Sequence, residues 1–353
     1  MRIDPRLVNA ARGTANFPYN SDLLGGDNRN GSDFALMRLI RGFRNLRADH
    51  RGSVVTVGTY DGIHLGHLAL LERLRDHGRR LGRPTMMLTF EPMPREHLAP
   101  DDPPPRLMSW RERWRLLSRT SLDYVWLLRF CESVRGLSGE EFAQLLFREL
   151  AAPVVVVGHD FRFGRDGEAT ARMLQEAGAR LGCVVDVVPP VTIDGVRVSS
   201  SRIREALARA DLPQVARWLG RPYSMSGRVI EGRHLGRRLG FATANLRLER
   251  RKAALAGIFA VHVLGVRPGP MAGVASLGTR PTVNGTEPLL EAHVFDFDGD
   301  LYGREIEVQF VAKLRDEKRF DSLDAMVEQM HRDAAEARRV LDPAGEPLKV
   351  RSR

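Results

Sequence analysis

Residues Val54–Leu74 read VVTVGTYDGIHLGHLALLERL, and this stretch decides the fold. Val54–Val57 is a short apolar, β-branched run, the pattern of a strand buried on both faces of a parallel sheet. Gly58 ends the run, and the polar turn Thr59-Tyr60-Asp61-Gly62 follows. The apolar spacing then changes to the helical period, with Leu68, Leu71 and Leu74 on one side. A strand therefore feeds a glycine-bearing loop, and the loop opens a helix. His64 and His67 fall at the junction, with Gly66 between them to let a ligand approach the backbone closely. The unpaired N–H groups of a helix N-terminus attract phosphate. Two imidazoles beside them can donate hydrogen bonds to phosphoryl oxygens and stabilise the charge that develops during transfer.

Outward from this stretch, strand and helix alternate from Ser53 to about Leu219. Strands are predicted at Ser53–Val57, Thr85–Phe90, Tyr124–Leu128, Val154–Val157 and Val184–Val188, with helices over His67–Leu81, Trp110–Arg119, Glu140–Leu150 and Ala169–Leu181. Ser109 with Glu112, and Ser138 with Glu141, fit the capping-box pattern. Such alternation predicts a doubly wound α/β domain that binds ligands at the carboxyl ends of its strands. Loops there carry polar sequence: Phe90–Glu96 with the proline-rich Pro100–Pro105, Gly158–Gly164, and Val198–Arg204 opening another helix. Ser199, Ser200 and Ser201 with Arg202 and Arg204 set hydroxyls and guanidinium groups at a helix start, which suits triphosphate oxygens. The plain alternative for the serines is an N-cap.

Leu212–Leu219 reads as a helical connector that Gly220-Arg221-Pro222 breaks. Beyond Tyr223 come short strands and glycine turns: Ser224–Ile230, Gly257–Leu264, Ala272–Ser276, Leu290–Phe297 and Glu305–Phe310. That spacing predicts a small antiparallel β-barrel. An amphipathic helix over Leu323–Leu341 follows, with Met326, Val327 and Met330 on its apolar side. Between the first strands, Gly232, Leu235, Gly236, Gly240 and Phe241 form a glycine-spaced run ending in Thr243-Ala244-Asn245. Glycines let backbone amides wrap a phosphate, and Thr243 and Asn245 oxygens can hold Mg²⁺ together with a nucleotide. Glu291 and His293 share one strand face, opposite Ala292 and Val294. On its residues alone, Glu291 is an ordinary carboxylate of a half-buried strand. Asp296, Asp298 and Asp300 read as a hairpin turn rather than a calcium loop, which would need a later Glu and flanking helices.

A chain of 353 residues accommodates two domains with full cores. No stretch approaches a membrane span, so no membrane partner is expected. Cys131 and Cys183 are unpaired by spacing, which suggests a reducing, cytoplasmic setting. The net charge of +10 raises nucleic-acid binding, yet the arginines are scattered among acids with no aromatic-interleaved basic stripe, and such binding is not expected. Residues 1–36 have the Asn/Gly/Asp/Ser-rich composition of a disordered extension, and 346–353 read as a flexible tail.

Gly58-x-Tyr60-Asp61-Gly62-x-His64-x-Gly66-His67 resembles the signature of adenylyl-transferring nucleotidyltransferases. With Val198–Arg204, Gly158–Gly164, the motif ending Thr243-Ala244-Asn245, Gly278–Thr282, Leu290–His293 and Leu314–Phe320, it resembles the bacterial bifunctional riboflavin kinase/FMN adenylyltransferases over roughly 37–343. The resemblance implies an FMN adenylyltransferase domain over 37–210, a connector over 211–222 and a riboflavin kinase barrel over 223–345. Its implied activities are ATP-dependent phosphorylation of riboflavin to FMN and adenylylation of FMN to FAD, with Mg²⁺ as cofactor. In the first domain it implies catalytic roles for His64, His67 and Arg204. ATP contacts fall on Gly58, Tyr60, Asp61, Gly62, Gly66, Asp160, Ser199, Ser200, Ser201 and Arg202. In the barrel it makes Glu291 the general base, Thr243 and Asn245 metal ligands, and Gly232, Leu235, Gly236, Gly240 and Phe241 the ATP loop. Flavin contacts fall on Phe161, Arg162, Phe163, Arg280, Arg315, Glu317 and Phe320. Five positions depart from the family pattern: Met93 stands for histidine, Thr59 for asparagine, Ala242 for proline and, conservatively, Val198 for isoleucine and Ser201 for threonine.

Overall fold

A computed structural model describes residues 37–232, 241–282 and 285–342, with backbone alone for 280–282, 285 and 286. The extension over 1–36 and the tail over 346–353 lie outside the described residues. Two compact units emerge: 37–104 with 113–200, and 105–112 with 201–342.

The first unit is a six-stranded parallel sheet. Its strands are β1 (Arg38–Arg41), β2 (Val54–Val57), β3 (Thr85–Phe90), β4 (Tyr124–Leu128), β5 (Val154–Gly158) and β8 (Val184–Val188), in the order β1-β4-β3-β2-β5-β8. Two-residue strands β6 (Arg162–Phe163) and β7 (Ala169–Thr170) form a separate antiparallel pair, as do β9 (Thr192–Ile193) and β10 (Val196–Arg197). The valine runs are buried on both faces, as a parallel sheet covered by helices requires. All five predicted strands are present, and strand order reverses between β2 and β5, the switch point where such sheets bind ligands. Strand β1 was not foreseen: its RLIR sequence has two arginines in four positions and buries only Ile40.

Helix α1 (Leu65–Leu81) begins two residues earlier than its apolar spacing implied, because His64 serves as its N-cap. The helix expected over Trp110–Arg119 ends at Leu117. The one expected over Glu140–Leu150 is α-helical only over Gly139–Gln144 and continues as π-helix over Leu145–Glu149. Both capping boxes form, with Ser109 N–H donating to Glu112 Oε2 at 2.6 Å and Ser138 N–H to Glu141 Oε2 at 2.7 Å.

In the second unit, β11 (Ser224–Ile230), β12 (Ala244–Arg247), β13 (Gly257–Leu264), β14 (Met271–Thr282), β15 (Gly285–Val294) and β16 (Glu305–Arg315) close into an antiparallel barrel, β11-β12-β15-β14-β13-β16. Strands β14, β15 and β16 differ in extent from their apolar runs, since barrel pairing continues through polar residues such as Thr279 and Lys313. By composition, Ala244–Arg247 belongs to the glycine-rich loop; pairing to β11 and β15 is what makes β12 a strand. The C-terminal helix over Leu323–Leu341 has the predicted bounds. Its most buried positions are Asp333 and Ala337, while Met326, Val327 and Met330 are half-buried. Arg315 makes a two-oxygen ion pair with Asp333, Nε to Oδ1 at 2.9 Å and Nη2 to Oδ2 at 2.6 Å.

Candidate active sites

The turn after β2 is fixed atom by atom. The Thr56 hydroxyl donates to the Val156 carbonyl at 2.8 Å, so the Tyr60 hydroxyl donates to Thr56 Oγ1 at 2.5 Å. Burial drives the Tyr60 phenol's pKa well up, which keeps it a neutral donor. Tyr60 (φ 52°) and Ile63 (φ 38°) take left-handed backbone conformations that non-glycine residues seldom adopt. Ser200 Oγ donates to the carbonyl of buried Asp61 at 2.8 Å, joining the serine run to this turn.

His64 Nδ1 accepts the backbone N–H of His67 at 3.3 Å, so a neutral His64 ring carries its proton on Nε2. The two imidazoles stack with centroids 3.7 Å apart and planes 15° apart, and the Tyr60 ring lies 4.8 Å from His67. Gly66 has a reason beyond ligand approach: a Cβ there would stand 3.1 Å from His64 Cε1. The glycine lets the capping imidazole fold over the first turn. Helix dipole, N-terminal amides and two imidazoles thus converge at the carboxyl end of a central strand, an arrangement that stabilises phosphoryl oxygens.

In the other loops of this unit, Asp160 is exposed and receives a hydrogen bond from Arg197 Nη2 at 2.5 Å. Phe161 is half-buried and stacks on Phe163 at 5.4 Å, Phe163 is buried against Phe142, and Arg162 is exposed. Met93 is buried at 6% exposure. Ser199 is half-buried. In the second unit, Ser201 and Arg202 are exposed, and Arg204 Nε donates to the Pro105 carbonyl at 2.6 Å.

The barrel assembles a second set. Strand register places Asn245 opposite Glu291, and Glu291 opposite Ser276 on the next strand. Cross-strand partners share a face, so these three side chains form a row. Ser276 Oγ extends it by donating to Glu317 Oε1 at 3.2 Å. Ala244 is buried between half-buried Thr243 and Asn245, and Ala292 and Val294 are buried beside half-buried Glu291 and His293. The alternation read from sequence therefore holds. Gly232 lies so close to the Asn245 amide that any Cβ would collide with it. Phe241 is buried, its ring 5.1 Å from His293 and 4.7 Å from His331.

Leu235, Gly236 and Gly240, and the Arg280 side chain, lie outside the described residues. Arg315 is held by Asp333, and with Lys318 it also lies over the half-buried Phe320 ring, at 5.8 and 5.1 Å. Glu317 is exposed. Asp296 pairs with Arg338 through two bonds of 2.9 Å, and hydrogen bonding to that guanidinium holds its carboxyl below the usual range. Asp300 accepts the Tyr302 N–H at 2.8 Å, but the turn does not close a hairpin, because β15 pairs with β12 and β14 while β16 pairs with β11 and β13. No group of three or more acidic, His or Cys residues fit to hold a metal occurs among the described residues.

Sequence reasoning missed Arg113. It is 0% exposed, donating to the Thr59 carbonyl at 2.5 Å and to Glu91 Oε2 at 2.7 Å. A signal existed: it lies four residues before buried Leu117, on the apolar stripe of its helix, where a charge needs a partner.

Family models agree with this two-part layout: one described as FAD synthetase matches residues 46–202, and one described as riboflavin kinase matches 219–341. The bifunctional riboflavin kinase/FMN adenylyltransferase of Escherichia coli strain K12 is 43% identical over 304 residues, 86% of this chain and 97% of that protein. Its counterpart from Pseudomonas fluorescens is 43% identical over 87% of this chain and 99% of that protein. A crystal structure described as a macrolide-efflux protein from Streptococcus pneumoniae aligns with a TM-score of 0.73 at 31% identity, covering 86% of this chain and 99% of that one. Among the described residues no helix is long and apolar enough to cross a membrane. Likeness of this extent, spanning both units, establishes that the chain belongs to the bifunctional riboflavin kinase/FMN adenylyltransferase family.

Proposed function

We propose that this chain makes FAD from riboflavin in two ATP-dependent steps, one in each part of the chain. The adenylyltransferase occupies 37–210 and the riboflavin kinase 223–345, with 211–222 connecting them. In the kinase step, Glu291 accepts the proton of the riboflavin 5′-hydroxyl as its oxygen attacks the γ-phosphorus of ATP, giving FMN and ADP. Gly232, Leu235, Gly236, Gly240 and Phe241 enclose the nucleotide, and Arg280, Arg315, Glu317 and Phe320 border the flavin. Mg²⁺ fits the donor set here, since Thr243 and Asn245 offer hard neutral oxygens and the nucleotide supplies the rest. Bound there, it neutralises charge on the phosphoryl oxygens.

In the second step a phosphate oxygen of FMN attacks the α-phosphorus of another ATP, giving FAD and pyrophosphate. The His64 Nε2–H, the His67 ring, Arg204 and the first amides of α1 stabilise the charge gathering on the α-phosphoryl oxygens. Gly58, Tyr60, Asp61, Gly62 and Gly66 shape the pocket floor, while Asp160 and Ser199 to Arg202 hold the nucleotide. Phe161, Arg162 and Phe163 border FMN. Both steps are transfers in which positioning and charge stabilisation outweigh covalent catalysis. We place the enzyme in the cytoplasm, where ATP is supplied and where unpaired Cys131 and Cys183 stay reduced.

The observation that carries this reading is the Asn245–Glu291 pairing in a barrel whose chain also presents a histidine-capped helix at a sheet switch point. Incubating the protein with riboflavin, ATP and Mg²⁺ and separating the flavins by chromatography tests it. FAD is the expected product; FMN alone would leave a kinase without its second activity, and neither product would overturn both steps.

A further inference from the structure

We propose that Arg113 is the positioning residue of the adenylyl-transfer site, holding the turn that leads into His64 in its working geometry. The proposal rests on the adenylyltransferase reading above. Among the bonds that pin that turn are those of Tyr60 to Thr56, Ser200 to the Asp61 carbonyl, and Arg113 to the Thr59 carbonyl. The Arg113 bond differs from the others because the same guanidinium also grips Glu91 Oε2. Thr59 follows β2 and Glu91 follows β3, strands paired side by side with Val57 opposite Leu88. Arg113 thus joins two loops at the carboxyl edge of the sheet through one rigid planar group.

Its burial rules out direct contact with a dissolved substrate, since the side chain is 0% exposed. Burying an ion pair is a poor way to gain stability, because desolvation offsets the attraction. Fixed geometry is what a planar fork provides and an apolar side chain does not. The turn needs such fixing, since the left-handed conformations of Tyr60 and Ile63 persist only where the surroundings over-determine them. Lysine carries the charge on a single nitrogen and cannot present the same planar fork to the Thr59 carbonyl and the Glu91 carboxylate.

The test measures both activities in the full chain for wild type, R113K, R113Q, E91Q and R113K/E91Q, with a melting curve for each. In R113Q, kcat for FAD formation from FMN should fall about a hundredfold, the scale of an ångström-level misplacement, with KM for ATP nearly unchanged. Riboflavin phosphorylation in the same protein should hold within about twofold, and R113K should recover part of the lost kcat. E91Q should also lower kcat, and adding R113K to it should cost less than R113K costs alone, as expected for two groups acting as one clamp. Should R113Q fail to fold, R113K and the cycle with E91Q decide by the same readings. The proposal is overturned if folded variants make FAD at the wild-type rate, or if both activities fall together in step with the folded fraction. A wild-type protein that makes no FAD at all would instead overturn the adenylyltransferase reading itself.

Discussion

His293 donates its Nδ1–H to the carbonyl oxygen of Ala242 across 2.8 Å; a carbonyl only accepts, so the bond fixes the tautomer. The bond anchors the backbone one residue before Thr243 and three before Asn245. Phe241 packs at a tilt against the same imidazole, with planes 60° apart, and also meets His331 of the C-terminal helix. The strand carrying Glu291 therefore also holds the segment carrying Thr243 and Asn245.

Replacing His293 with Phe keeps a ring against Phe241 and removes the donor. A hydrogen bond of this kind contributes about 0.5–1.5 kcal/mol, so riboflavin phosphorylation should slow by roughly two- to tenfold. FAD formation from added FMN should not change. Equal losses in both reactions would show that the substitution acts through the fold as a whole.

The two chemistries should separate genetically. Changing His64 and His67 together to Ala removes both the cap of α1 and the imidazole donors, so FMN should accumulate without conversion to FAD. Changing Asn245 to Ala removes an oxygen donor from the barrel site, so riboflavin should persist while added FMN is still adenylylated. Chromatography of the flavins from each variant checks this. One folded variant that loses both reactions would contradict two independent sites.

Much of this architecture is legible in the sequence because burial on two faces leaves an unambiguous mark. Val54–Val57 and Val154–Val157 read as strands without help from their surroundings, and they are. Strands β1 and β12 escaped because partners, not composition, make them: RLIR is half arginine, and Ala244–Arg247 follows a run of glycines. The site follows the same division. Residue types and spacing pointed to His64 and His67, whose stacking depends on Gly66 having no side chain. Arg113 meets Thr59 and Glu91 only through tertiary packing, over 54 and 22 residues of chain, and no local pattern encodes those partners.

Met93 shows how burial revises an expectation. Read from sequence, a thioether in place of histidine deprives the Glu91-Pro92-Met93-Pro94 loop of a phosphate donor, and Met93→His should then raise adenylyl transfer. The structure buries Met93 at 6% exposure, at the start of a short helix where its backbone N–H donates to Glu96 Oε2 at 2.9 Å. An imidazole there would replace apolar contact with a polar ring, at about 2–3 kcal/mol. Met93→His should lower the melting temperature and leave FAD formation by the folded fraction no faster. A faster reaction at unchanged stability would mean that the side chain reaches the phosphates.

Asp186 ties the helix that carries His64 and His67 to the edge strand β8. Its Oδ2 accepts from Arg73 Nε and His77 Nε2, each at 2.6 Å, and both donors lie on α1. Burial opposes ionisation of this carboxyl, but the His77 and Arg73 hydrogen bonds outweigh it and hold its pKa below the usual aspartate range. A depressed folded-state pKa means that the unfolded chain takes up the proton first as pH falls, so stability rises with pH through that window. The contribution is complete above the unfolded value of about 3.9 and disappears as pH drops through the lower folded value. Wild type should therefore melt well above D186N near neutral pH, and the gap should close progressively below about pH 4. Arg73 and His77 belong to the helix that His64 caps, so D186N should also slow FAD formation more than FMN formation at neutral pH. A melting gap of the same size at pH 3 and pH 7 would show that the ionised carboxylate is not what fastens the helix to β8.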